Sequence, residues 1–312
     1  MSASPRVVGL GFCAYDHLFT VDRYPERGNK IPIRAELHQG GGQVATALVA
    51  LARLGVPVRF IGRRGDDAEG EAIEAGLREA GVDLAGLATV PGARSQRAFI
   101  VVPADGGERT VFWRRDPALD LAAGDLDPAW FPDDPHLLLL DGHEIDACLA
   151  AAAITRARGG TVVLDAEYVA PRTAELVSRV DHVVADERFT GRLLDRPPDA
   201  TALESLRRLG PGRVVVTLGE RGAASWDGRR LLAVPAYDVP VVDTTGAGDV
   251  FHAGYCYGLL AGWDDARRLR FACAMAGLKC RAPGGRRGIP DLAEIEALMA
   301  SGRIRPAGGD PA

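Results

Sequence analysis

Between Val241 and Gly254 the chain reads Val-Val-Asp-Thr-Thr-Gly-Ala-Gly-Asp-Val-Phe-His-Ala-Gly: a β-branched run, a turn of Thr, Gly and Ala, then an apolar helical pattern. A helix starting near Ala247 leaves its first N–H groups unpaired, and those donors together with the helix dipole favour an anion. Glycines permit the tight turn and the close approach of a ligand to the backbone. Asp249 falls in the first helical turn, so a carboxylate able to take a proton stands beside an anion cradle. The pairing suits phosphoryl transfer to a hydroxyl, with donors for the developing charge and a base for the attacking alcohol. Taken locally, a Gly-rich turn with a capping Asp fits the same residues equally well.

A second glycine cluster also opens a helix. Gly40-Gly41-Gly42 precedes apolar residues at Val44, Ala47, Leu48, Leu51 and Leu54, closed by Gly55. Other chemistries lack their residues: there is no Gly-x-x-x-x-Gly-Lys loop, His143-Glu144 has no second histidine at zincin spacing, and no Gly-x-Ser-x-Gly elbow occurs.

The elements that must hold these motifs follow from pattern. Strand-like runs at Arg6–Phe12, His17–Asp22 and Lys30–His38 surround a turn carrying Asp16. Val58–Gly62 reads as a strand and Asp67–Ala80 as a helix. Arg97–Pro103 and Arg109–Arg114 flank Ala104-Asp105-Gly106-Gly107 as a β-hairpin, which predicts a small antiparallel layer. From His136 onward strands and helices alternate, and three helices close the chain at Ala247–Leu260, Asp264–Lys279 and Leu292–Ala300. That rhythm predicts an α/β fold with an open, mostly parallel sheet covered on both faces. Ligands in such folds bind beyond the carboxyl ends of the strands, where Asp141, Asp165, Thr217 and Asp243 are expected. Residues 1–312 read as one domain, with no repeat or long linker.

A net charge of −5 gives no global attraction for nucleic acid or anionic lipid. The five cysteines are scattered without a Cys-x-x-Cys pair, which suits buried thiols in a reducing compartment. Without a signal-peptide h-region or a membrane-length apolar run, a cytoplasmic protein is expected.

Three motifs in register resemble one family. Asp243 to Asp249 with Phe251 and Gly254 is similar to the C-terminal signature of the ribokinase-like (PfkB) carbohydrate kinases. Gly41-Gly42 leading to Ala52-Arg53-Leu54-Gly55 resembles the N-terminal signature, and Thr217-Leu218-Gly219-Glu220-Arg221-Gly222 the nucleotide-contact loop. The resemblance spans Val7 to Asp291. It implies a ribokinase-like fold whose small β-sheet forms a lid from segments near 14–39 and 96–116. It also implies an ATP- and Mg²⁺-dependent kinase of a small sugar, and a homodimer paired through the lid strands.

The resemblance assigns roles to individual residues. Asp249 is the base, and the N–H groups of Gly246, Ala247 and Gly248 hold the transferring phosphoryl. Thr217, Gly219 and Gly222 contact the nucleotide, with adenine near Cys273 and Ala276. Asp243 and Thr245 match a monovalent-cation (K⁺) site. Asp16 accepts from sugar hydroxyls, Gly41 and Gly42 let the helix start approach the sugar, and Gln43, Arg109 and His143 are pocket candidates with His38. Two positions depart from the pattern. Thr46 stands where the family has a sugar-binding asparagine. The Asn-x-x-Glu motif that organises Mg²⁺ appears as Asp186-Glu187-Arg188-Phe189, so Asp186 and Glu187 become the metal candidates. Gln43–Ala47 and Leu278–Cys280 look closest to ketose-type members, including fructokinase-like and sulfofructose kinases. The expected acceptor is therefore a ketose; a nucleoside, or sugar binding without catalysis, are the alternatives.

Overall fold

Val7 and Val8 illustrate how the sheet is covered: neighbours in one strand, both fully buried, they enter different apolar cores. Alternating side chains of a strand point to opposite faces, so a continuous apolar strand requires cover on both. The computed structural model describes residues 4–104, 109–195 and 199–305. Within them, β1 (Val7–Leu10) is followed by β2 (Ala14–Val21), β3 (Ala35–Gly41), α1 (Gln43–Arg53), β4 (Val58–Gly65), α2 (Ala68–Glu79) and β5 (Asp83–Val90). Next come β6 (Gln96–Pro103), β7 (Thr110–Arg114), β8 (Leu137–Leu140), α3 (Ile145–Ala157), β9 (Thr161–Ala166), α4 (Thr173–Val177) and β10 (His182–Asp186). The chain continues through α5 (Glu187–Leu194), α6 (Ala200–Arg208), β11 (Arg213–Thr217), β12 (Ala223–Trp226) and β13 (Leu231–Val234). It ends with α7 (Ala247–Leu260), α8 (Asp265–Lys279) and α9 (Leu292–Ser301).

The large sheet has the order β13-β12-β11-β10-β9-β8-β1-β4-β5. It is parallel from β11 to β5, and β12 and β13 are antiparallel. One core joins Val7, Leu139, Val163, Val184 and Val215 to α1, α7 and α8; the other joins Val8, Leu138, Val162 and Val183 to α3 and α6. A separate sheet has the order β3-β2-β6-β7, with its own small core of Leu18, Leu37, Ala98, Ile100 and Val102. The β2–β6 pair is parallel and the other two are antiparallel. The expected α/β sheet and small second layer are therefore present. All five cysteines are buried and free.

Several boundaries differ from expectation. Asp16 lies inside β2, paired across to Gln39, and not in a turn; Gly40 and Gly41 finish β3. Strand β5 carries no clear alternation in its sequence and was not expected. The β-branched Val241-Val242 forms no strand: both residues are 51% exposed, and Asp243 sits in a loop. The turn expected at Ala104–Gly107 extends into residues outside the described set.

Candidate active site

Gly246 caps α7 in the left-handed conformation (φ 74°), a state costly for any residue with a Cβ. A Cβ there would also lie 2.7 Å from Gly285 Cα, so this backbone-to-backbone contact needs glycine twice over. The Ala247 N–H donates to Thr244 O at 3.1 Å, whereas the Gly246 and Gly248 N–H groups have no backbone acceptor among the described residues. Two of the three expected anion-hole donors therefore stand open, and the third already serves the turn. Behind it, Asp243 braces the loop. Its Oδ1 accepts from Thr245 N (2.8 Å) and Thr245 Oγ1 (2.7 Å), and its Oδ2 from Gly284 N (2.7 Å). The fully buried Lys279 ammonium donates to Asp243 O at 2.9 Å.

Asp249 stands in the first turn of α7. Burial holds its carboxyl well above the usual carboxylate range, and the nearby charges of Asp165 and Glu167 push the same way; His252 and Arg109 oppose them. Under it, His252 Nδ1 faces Gly248 O at 2.7 Å, and Nε2 faces Val184 O at 3.2 Å and Asp165 Oδ1 at 3.3 Å. A neutral imidazole has one N–H, yet both nitrogens here face oxygens. Burial pushes Asp165 well above its ordinary range and His252 below its own, which favours a neutral imidazole beside a protonated carboxyl. Gln43 completes the cluster, donating through Nε2 to Glu167 Oε2 at 2.6 Å. Glu167 and His252 were not singled out from sequence; only their position beside Asp249 in three dimensions marks them.

A cavity of about 250 Å³ opens beside the α7 N-terminus. Thr217, Gly219, Gly222, Cys273 and Ala276, the five residues expected at a nucleotide, all line it, together with Ala247 and Gly248. Tyr237 and Val239 supply apolar walls that the sequence did not flag, and Phe251 of the C-terminal signature supplies a third. The mostly carbon-lined cavity thus opens directly against the N-terminal turn of α7.

The residues expected at the sugar lie outside this cavity. Asp16 is 7% exposed and hydrogen-bonds to no group among the described residues. Burial raises its carboxyl to about 6 against the lowering charges of Arg286 and Arg109. A Cβ at Gly41 would collide with both Asp16 oxygens, and one at Gly42 (φ 97°) with Phe12 O. Thr46 is buried on α1. Arg109 is exposed just before β7, and its charge acts on both Asp16 and Asp249. His143 stacks on Tyr168 with ring centroids 4.7 Å apart and meets Phe12 edge-on. His38 turns away, bonding to Glu36 at 2.6 Å.

The two metal candidates have internal duties. Asp186 caps α5, with Oδ1 accepting from Phe189 N at 2.6 Å, and Glu187 pairs with Arg221 of the nucleotide loop. Phe189 is fully buried, so the carboxylate usual at that position is replaced by core. Among the described residues no three His, Cys, Asp or Glu side chains are grouped to hold a metal.

Comparison with known proteins places the chain in a family. The family described as pfkB family carbohydrate kinase matches residues 5–292. The chain is 28% identical over 301 residues to a ribokinase of Bacillus subtilis, covering 93% of this chain and 98% of that protein. It is 30% identical over 283 residues to an ATP-dependent ribose-1-phosphate kinase of Halopiger xanaduensis, covering 90% and 94%. The solved structure of Arabidopsis thaliana ribokinase complexed with ribose and ATP superposes with a TM-score of 0.80 at 25% identity, covering 95% and 99%. The family match over residues 5–292, together with a relative 30% identical over nearly its whole length, makes this protein a member of the PfkB family of carbohydrate kinases.

Proposed function

We propose that this protein transfers the γ-phosphoryl group of ATP to a hydroxyl of a small sugar, with Asp249 as the base. The observation that carries the reading is what gathers at the α7 N-terminus: a cavity lined by Ala247 and Gly248, the open N–H groups of Gly246 and Gly248, Asp249 in the first turn, and Asp16, which shares with Asp249 the charges of Arg109 and Arg286. In-line transfer needs donor, charge stabilisation and acceptor in that sequence. Asp16 would grip two sugar hydroxyls, orienting a third toward Asp249. Asp249 would take that proton while the α7 N-terminus offsets charge on the transferring oxygens.

Mg²⁺ would arrive with the nucleotide and neutralise phosphate charge. Asp165, whose proton affinity is raised by burial and by the charges of Glu167 and Asp186, lies with those two carboxylates on the acidic side that would receive its water ligands. The fit to K⁺ is poorer, because both Asp243 oxygens already accept internal donors and Lys279 brings an ammonium to the same turn.

The second sheet would act as a lid excluding water, the competing acceptor. Ile33, Phe99, Val111, Phe112 and Trp113 are exposed large apolar residues within its two segments, and β7 is an open edge. Pairing two lids in a homodimer would cover both. In register, Trp113 faces Ala98 and shares the sheet face of Asp16, which gives a nucleoside base a stacking partner. A nucleoside is therefore the second acceptor to test, and a nucleoside kinase of Methanothermobacter thermautotrophicus is 25% identical over 300 residues. Five buried thiols suit a reducing, cytoplasmic setting.

ADP release measured over ketoses, aldoses and nucleosides identifies the acceptor class. Asp249→Asn should lower kcat by about 10³-fold, at or within the range general-base loss produces, with the nucleotide KM little changed. Near-normal turnover by that variant would refute the base assignment.

A further inference from the structure

Arg286 differs from the other recessed arginines of this protein. Arg59 pairs with Asp83, Arg64 with Glu74, Arg115 with Glu144, and Arg213 and Arg268 with Asp265. Arg286 joins no ion pair among the described residues. Its Nε reaches Thr46 Oγ1 at 3.4 Å and its Nη2 reaches Gly41 O at 3.2 Å, both long and both to neutral acceptors. The backbone has been cleared for it: a Cβ at Gly40 would collide with its Nη1. Burial penalises its charge, and the carboxylate with the largest compensating effect is Asp16, beyond ion-pair reach. Arg286 is half-buried, and a guanidinium partly withdrawn from water is stabilised when an anion meets it.

Its position says which ligand would do so. Gly41, Thr46 and Asp16 lie at the acceptor end, and neither they nor Arg286 line the nucleotide cavity. Thr46 is the position at which the family's sugar-binding asparagine is missing. The shorter side chain makes room for a guanidinium in place of a carboxamide. Asp16 is acceptor-only when ionised and suits hydroxyls; Arg286 is donor-only and suits an oxyanion, bidentate where the group is planar. Arg109 adds a second positive charge felt at Asp16.

We infer that the acceptor is an acidic sugar, a polyhydroxy compound carrying a carboxylate, sulfonate or phosphate, and that Arg286 clamps this anionic group while Asp16 holds its hydroxyls. The inference deepens the kinase reading and rests on it for the identity of the pocket.

The test is a matched panel: a neutral ketohexose, the same sugar with a 6-sulfonate or 6-phosphate, and a ketohexonate. Wild type, Arg286→Gln and Arg286→Lys are each assayed by ADP release and, in parallel, by calorimetric binding. Wild type should prefer an acidic member by at least about tenfold in kcat/KM, the value of one charge-assisted hydrogen-bonded contact or more. Arg286→Gln should remove most of that preference with the nucleotide KM held within about twofold, and Arg286→Lys should keep part of it. Equal use of neutral and acidic sugars by wild type, or an equal loss on both in Arg286→Gln, overturns the inference and leaves the kinase reading standing. A raised nucleotide KM in Arg286→Gln overturns it too, by assigning the guanidinium to the transferred phosphate. Should no member be turned over, binding decides: an acidic preference lost in Arg286→Gln upholds the clamp while the kinase reading falls, and binding without preference removes both.

Discussion

Asp16→Asn should stabilise the unliganded protein while disabling it. The carboxyl of Asp16 rises from 3.8 to about 6 because burial disfavours its charge, and no hydrogen bond compensates. A rise of about two units corresponds to about 3 kcal/mol of strain carried by the ionised form at neutral pH. The folded protein binds this proton more tightly than the unfolded chain does. Stability therefore falls as pH climbs from about 4 to about 6, and the loss is complete above that window. Asparagine mimics the protonated acid in shape, so the variant escapes the loss. Thermal unfolding at pH 8 should show Tm raised by roughly 5 °C for a chain of this length. The gap should close as the pH is lowered toward 4. The same variant loses two charge-assisted contacts to sugar hydroxyls, which lowers kcat/KM by about 10²–10³-fold. The measurement is a pair of melting curves, at pH 8 and pH 4, with an ADP-release assay on the best acceptor. A lower Tm at pH 8, or a stability gap independent of pH, would show that Asp16 is held by contacts rather than strained by burial. Retained affinity for the sugar would refute its role as hydroxyl reader.

Three further outcomes follow from the site. Asp249 acts only when ionised and its proton affinity is raised by burial, so kcat/KM should climb with pH through a value above the ordinary carboxylate range; Arg109→Gln, removing a charge that lowers it, should move that limb to higher pH. Gly246→Ala must place a Cβ at positive φ against Gly285, and should cost about 1–2 kcal/mol of stability in thermal unfolding and more than tenfold in kcat. Ala276→Phe intrudes on the cavity and should raise the nucleotide KM by about 10–100-fold, with sugar binding measured by calorimetry unchanged.

The parts of the site legible in the chain were those built from consecutive residues. Gly246-Ala247-Gly248-Asp249 announces itself because one turn supplies donors and base together, and the Thr217–Gly222 loop because it ends a buried strand. What escaped depends on the third dimension. Val241-Val242 has strand composition, but the Val242 N–H donates to Cys280 O at the end of α8 and not to a strand. Asp16 was expected in a turn before the His17–Asp22 strand; its place inside that strand became visible only through its pairing with Gln39. His252 looks like one more helix residue until Asp165, on another strand, is found against it. Arg286 lies 240 residues from Thr46, and nothing local distinguishes it from the adjacent Arg287.

The walls of the nucleotide cavity carry one more consequence. Tyr237, Val239, Phe251, Cys273 and Ala276 meet a base with carbon and sulfur surface, offering it shape in preference to a pattern of donors and acceptors. A mainly apolar slot discriminates weakly between partners that differ by an exchanged amino or keto group. On the proposed reading the identity of the phosphate donor would be set by abundance, with whichever purine triphosphate the cell holds in excess filling this cavity and selectivity left to the sugar.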